Sequence, residues 1–147
     1  MGLRKAFDAA FNRMREKNWE KIYVAVDIHD TILRACYEDE ETYDYFPLAK
    51  ETLRRMSLRE DLCLILWSSC HRDRLMEYAK HFQHDGIWFD YINENPEVDN
   101  TLLQNFEEKL YMNVGIDDKF GFDAESDWEV ISNVLDEYPW KRPVECS

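Results

Sequence analysis

Between Lys21 and Arg34 the chain reads Ile22-Tyr23-Val24-Ala25-Val26-Asp27-Ile28-His29-Asp30-Thr31-Ile32-Leu33, a β-branched apolar run that ends in a carboxylate and a short polar turn. Five apolar residues in succession leave no hydrophilic face, so they suit a strand covered on both sides, the usual state of a central parallel strand. In an open α/β sheet, ligands bind at the carboxyl ends of such strands. Asp27 is therefore either a simple strand terminator or the first residue of a site, and the rest of the chain has to decide.

Further apolar runs alternate with helical patterns. Leu3, Phe7, Ala10, Phe11 and Met14 fall at helical spacing, so residues 1–18 predict an N-terminal helix packed on the core and ended by Asn18-Trp19. Pro47 suits the first turn of a second helix with Leu48, Ala49, Leu53 and Met56 on its apolar stripe. Leu62 to Trp67 is a second buried-type strand ending in Ser68-Ser69, and a helix from Cys70 to Phe82 follows, with Leu75, Met76, Tyr78, Ala79 and Phe82 as its apolar positions. Ile87-Trp88-Phe89 reads as a short strand, Leu102 to Glu108 as a poorly defined helix, and Leu110 to Ile116 as a strand running into Asp117-Asp118. Asp127 is placed to cap a last helix carrying Trp128, Ile131, Val134 and Leu135. Strands alternating with helices imply an α/β fold, a Rossmann-like three-layer α/β/α arrangement around a central parallel sheet.

A length of 147 residues allows one domain with a real core, spanning 1–147, and is too short for two. The net charge of −13 argues against nucleic acid or an anionic membrane as partner, since both would be repelled at long range. Cys36, Cys63, Cys70 and Cys146 show neither paired nor zinc-type spacing, and Cys63 reads as a small core residue. Reduced thiols, a segment 1–17 too charged for a secretory signal and the lack of a membrane-length apolar run together predict a cytoplasmic protein.

Three of the strands end in polar groups, Asp27, Ser68 and Asp117, and a parallel sheet brings such ends to one edge. Carboxylates meeting there would repel unless a cation joined them. Hard oxygen ligands without His/Cys spacing favour Mg²⁺, which takes one or two carboxylates and leaves positions for a phosphorylated substrate. Lys109, just before the last core strand, and Ser68, just before a helix N-terminus, supply the positive charge and donors that a phosphate needs.

In this order, acid, hydroxyl, lysine and acid pair resemble the haloacid-dehalogenase-like (HAD) superfamily of phosphotransferases, over nearly the whole stretch from Ile22 to Val134. The first motif, Asp-x-Asp-x-Thr after a buried strand, is met by Asp27-Ile28-His29-Asp30-Thr31. Ser68 matches the second, Lys109 the third and Asp117-Asp118 the fourth, and the whole looks closest to small capless bacterial and phage members. The resemblance implies a phosphatase in which Asp27 attacks the phosphoryl group and becomes an aspartyl-phosphate that water hydrolyses. It also implies Mg²⁺ held by Asp27, the His29 main-chain carbonyl, Asp117 and Asp118, with Thr31, Ser68, Ser69 and Lys109 on the substrate side. The implied partner is a phosphorylated small molecule or protein.

Two departures qualify this. Phosphatases of the family usually carry a second Asp two residues after the nucleophile, as general acid and then base; here that residue is His29, and Asp30 occupies the next position, often Gly. An imidazole can do acid/base work near neutral pH, or His29 supplies only its carbonyl to the metal. In the second case the chain is a phosphoryl-binding protein without turnover; a phosphotransferase to an acceptor other than water is the third reading. The other departure is the absence of room for a cap domain between the motifs. An open site suits a larger substrate, or one enclosed by a second copy of the chain, while the acidic, tyrosine-rich run from Arg34 to Phe46 is placed to overhang the site as a flap or to form a solvated loop.

Overall fold

A computed structural model describes residues 3–34, 43–97 and 112–139. Helix α1 (Leu3–Glu16) leads into strand β1 (Ile22–Val26), then α2 (Ala49–Ser57), β2 (Leu62–Leu66), α3 (Arg72–His84), β3 (Tyr91–Ile92), β4 (Val114–Ile116) and α4 (Asp127–Glu137). The sheet has the order β3-β2-β1-β4 with every described pairing parallel, so β1 is central, as its apolar run demands. This is a Rossmann-like α/β fold.

Register divides the strand residues between two faces. Val24 lies level with Leu64 and Val114, and Val26 with Leu66 and Ile116; these side chains join Phe7, Phe11, Leu53, Met56, Tyr78, Phe82 and Trp128 in the main core. All four described helices thus pack on one face. On the other, Ala25, Cys63 and Ile65 form a smaller buried cluster flanked by Tyr23, Trp67, Tyr91 and Met112. The helix expected over 102–108, the candidate for the second layer, lies outside the described residues.

Several boundaries differ from expectation for identifiable reasons. Asn18, with φ 55°, takes the left-handed conformation that ends α1, and Trp19 N–H closes the turn on Met14 at 2.8 Å. Leu48 has φ 66°, so α2 begins only at Ala49; Pro47 stays in the preceding turn, and Leu48 is 44% exposed while Thr52 takes a buried place on the stripe. The α3 helix starts two residues later than expected, and Met76 faces solvent. Asp127 is the first helical residue of α4 rather than its cap, and its carboxylate accepts the Asp123 N–H at 2.8 Å.

The third strand lies at 91–92 rather than 87–89. Ile87 is buried but its N–H bonds back to Phe82, and Trp88 is 56% exposed. Asp90 begins the pairing with β2 in two ways: its N–H donates to Leu64 C=O and its carboxylate accepts Leu64 N–H, both at 2.8 Å. Asn113 does the same at the opposite edge, donating its N–H to Tyr23 C=O and accepting Tyr23 N–H on its side-chain oxygen, both at 2.7 Å. One polar side chain thus extends each outer ladder where regular pairing stops, which shortens β4 to Val114–Ile116.

Candidate active site

At the carboxyl edge of the sheet the backbone brings three loops together. Asp27 follows β1, with its N–H donating to Ile116 C=O at 3.0 Å, while Trp67 N–H donates to Val26 C=O at 2.9 Å. Asp117 and Ser68 therefore begin loops on either side of Asp27. Beyond it, the N–H groups of Thr31, Ile32 and Leu33 converge on Ile28 C=O at 3.3, 2.9 and 3.0 Å, and Asp30 sits at φ 58°. A left-handed backbone at this point explains why Gly suits the position; Asp is among the residues that tolerate it.

One oxygen each from Asp27, Asp117 and Asp118 lie within 4.8 Å of one another. Asp117 is buried and Asp118 exposed, and among the described residues none of the three forms a salt bridge. Burial pushes the Asp27 carboxyl up to about 6, Asp117 and Asp118 add to the rise, and an Ile28 backbone N–H and the Lys119 charge oppose it. Asp118 is also raised, first by the hydrogen bond it shares with Asp117 and then by burial. A cluster of hard oxygen donors that resists its own ionisation fits a divalent cation such as Mg²⁺. Among the described residues no backbone N–H donates to the His29 carbonyl.

Local contacts hold the acid pair. Lys119 N–H donates to Asp117 Oδ1 at 3.0 Å, closing a short 3₁₀ turn over Asp118–Phe120. Gly115 lets that turn fold back, because a Cβ there would stand 2.7 Å from the Phe120 ring. Thr31 ties the first loop to the last: its hydroxyl accepts Asp118 N–H at 3.3 Å and its carbonyl accepts the Trp128 indole N–H at 2.8 Å. Thr31 has no exposed surface and holds the Asp118 backbone from below.

Ser68 is half-buried and Ser69 exposed. The Ser68 hydroxyl accepts Cys70 N–H at 3.2 Å, and Asn93 clasps its backbone, accepting Ser68 N–H at 2.8 Å and donating to Ser68 C=O at 2.9 Å. His29 lies between two side chains: Nε2 is 3.1 Å from the Tyr78 hydroxyl and Nδ1 is 3.8 Å from Cys70 Sγ, with the Tyr78 ring edge-on at 5.4 Å. Burial lowers its pKa and Arg74 adds to the effect, against Asp30, so the imidazole is mainly neutral at pH 7. Lys109 and residues 35–42 of the acidic run lie outside the described residues. At the end of that run, the Tyr43 and His81 rings meet with centroids 3.9 Å apart and planes tilted by 33°, and Asp44 pairs with Arg34 at 3.4 Å.

The structure thus brings Asp27, Asp117 and Asp118 together, with Ser68 and His29 on neighbouring loops. Asn93, Cys70 and Tyr78 were missed as site residues. Asn93 obeys the same rule as Asp27 and Asp117, a polar residue directly after a strand, and placing β3 at 91–92 reveals it. Tyr78 had shown only its apolar spacing.

Comparison with protein-family models and with curated proteins finds no match. A solved structure of a conserved protein from Bacteroides thetaiotaomicron is similar, with a TM-score of 0.62 and 29% sequence identity over 82% of this chain and 93% of that one. Among the described residues no helix is long and apolar enough to cross a membrane.

Proposed function

We propose that the protein is a Mg²⁺-dependent phosphomonoesterase of the HAD-like type, with Asp27 as nucleophile. The observation that carries this reading is the set of three carboxylates with an oxygen each within 4.8 Å of the others, none in a salt bridge among the described residues, at the carboxyl edge of the sheet. Asp27, Asp117, Asp118 and the His29 carbonyl would hold Mg²⁺, which when bound offsets the repulsion between carboxylate and phosphate dianion. The Asp27 oxygen attacks phosphorus, the bond to the ester oxygen breaks, and the phosphoryl group remains on Asp27. Ahead of α3, the Ser68 hydroxyl and the Ser69 N–H would be the donors to phosphoryl oxygens, since the N–H groups of Ser68 and Cys70 are engaged by Asn93 and by the Ser68 hydroxyl.

His29 then divides the two chemical steps. Its lowered pKa favours the neutral imidazole, which suits a base that takes a proton from the water cleaving the aspartyl-phosphate more than an acid for the departing alkoxide. Phosphate release from phenyl phosphate with Mg²⁺, lost in EDTA and in Asp27→Asn, is the expected result; full activity in Asp27→Asn overturns the mechanism.

A second reading rests on the contacts of His29, both of whose ring nitrogens face protein groups, Tyr78 and Cys70. On that reading the chain binds a phosphoryl group without turning it over. Mg²⁺-dependent binding of phenylphosphonate with no release of phosphate from phenyl phosphate would favour it.

A further inference from the structure

Asn93 follows the last residue of β3 and bonds the end of β2 through three groups. Its N–H donates to Leu66 C=O at 2.8 Å, its Oδ1 accepts Ser68 N–H at 2.8 Å, and its Nδ2 donates to Ser68 C=O at 2.9 Å. The amide has one orientation in which both side-chain contacts are hydrogen bonds, oxygen toward the N–H and nitrogen toward the carbonyl. The side chain thus replaces the two peptide groups that a continuing parallel strand would have offered to Ser68. Meanwhile the backbone turns away, with φ 54° at Asn93, a left-handed conformation that asparagine takes more readily than most residues.

Extension of the ladder alone does not call for an amide. Asp90 and Asn113 each lengthen a ladder with their own N–H and one side-chain oxygen. A carboxylate would serve at position 93 as it does at 90. What the amide adds is the donor that holds the Ser68 carbonyl, so that the peptide groups on both sides of the Ser68 α-carbon are fixed. Ser68 lies beyond Leu66 and Ile92, the last paired residues of β2 and β3, where strand pairing no longer sets the backbone. With the backbone held, the Ser68 side chain has a defined direction, and its hydroxyl accepts Cys70 N–H at 3.2 Å. A hydroxyl oxygen that accepts one bond keeps its own O–H to donate elsewhere.

We infer that Asn93 is a positioning residue of the phosphoryl site and acts through Ser68: its amide sets the direction in which the Ser68 hydroxyl donates to a phosphoryl oxygen. The inference rests on the phosphoryl-site reading above. It is tested by titrating phenylphosphonate, which is not hydrolysed, into the Mg²⁺-supplemented full chain while following amide resonances by NMR. Wild type, Asn93→Gly, Ser68→Ala and the double variant are compared. Glycine keeps the left-handed backbone and removes only the clasp. Asn93→Gly should weaken binding about tenfold, as should Ser68→Ala, the worth of one hydrogen bond to a charged oxygen. In the Ser68→Ala background the Asn93→Gly change should weaken binding by less than about twofold, because the group it positions is gone. In the wild type, the Asn93 side-chain NH₂ resonances should shift together with the Ser68 amide as phenylphosphonate binds, a signal that needs no variant. Unaltered affinity in Asn93→Gly, an equal loss in both backgrounds, or NH₂ resonances that stay in place while the Ser69 amide moves each overturns the role of Asn93 and leaves the phosphoryl site standing. No binding of phenylphosphonate to the wild type overturns both.

Discussion

The two edges of one small sheet handle charge in opposite ways. At the amino ends of the strands, Arg59 and Asp61 make a double hydrogen bond at 2.9 and 2.8 Å with side chains only 9% and 12% exposed, and the guanidinium lies over the Phe11 ring. Beside them Lys21 donates to Glu97 at 2.7 Å, and each partner raises or lowers the other's pKa in the direction that favours the charged form. At the carboxyl ends, burial above all pushes Asp27 toward its neutral form, and the hydrogen bond shared with Asp117 does the same to Asp118. The first edge is complete and serves stability. The second gathers carboxylates that oppose one another's ionisation, an opposition that a bound cation would relieve.

The largest effect that separates the edges is on chemistry. Asp117→Asn should lower phosphate release by about 10³-fold or more and remove the rise in melting temperature expected of the wild type on adding Mg²⁺. A normal Mg²⁺ response in that variant would break the contrast. Next, Arg59→Ala leaves Asp61 buried without its partner and should cost about 2–4 kcal/mol in urea unfolding, with the Mg²⁺ response intact. Loss of that response would mean the edges are not independent.

A smaller effect has a defined pH window. The folded-state pKa of Asp27, about 6, lies above its ordinary 3.8, so the folded chain binds this proton more tightly than the unfolded chain. Ionisation therefore opposes folding; the cost is absent below about pH 3.8 and complete above about pH 6. Without divalent cations, Asp27→Asn should be more stable than wild type at pH 8 by roughly 1–2 kcal/mol, allowing for solvent screening. The gap should close toward pH 4, and a gap that does not depend on pH would refute the assignment. The smallest effect is Tyr78→Phe, which deletes one hydrogen bond to His29 and should cost about 1 kcal/mol while shifting the His29 ring resonances. Unchanged resonances would show that the hydroxyl does not hold the ring.

Much of this was legible because it is written in local runs. The central place of Ile22–Val26, the buried strand Leu62–Leu66 and the helix 3–16 follow from periodicity that does not depend on distant partners. The third strand was misplaced because Ile87-Trp88-Phe89 has the composition of a strand, whereas pairing depends on where Asp90 meets Leu64. Likewise Thr31 matched a motif position on the substrate side, but its contacts run to Asp118 and Trp128, residues 87 and 97 positions away.

By itself, the sequence determined that a carboxylate would end a central parallel strand and that an acid pair would end another, because a two-faced apolar run has no other stable place. Only the tertiary structure decided that three of those oxygens lie within 4.8 Å of one another, that His29 is held between Tyr78 and Cys70, and that Asn93 belongs to the same edge. Strand burial follows from composition over five residues, while the approach of side chains depends on register and on loops that close across the whole chain.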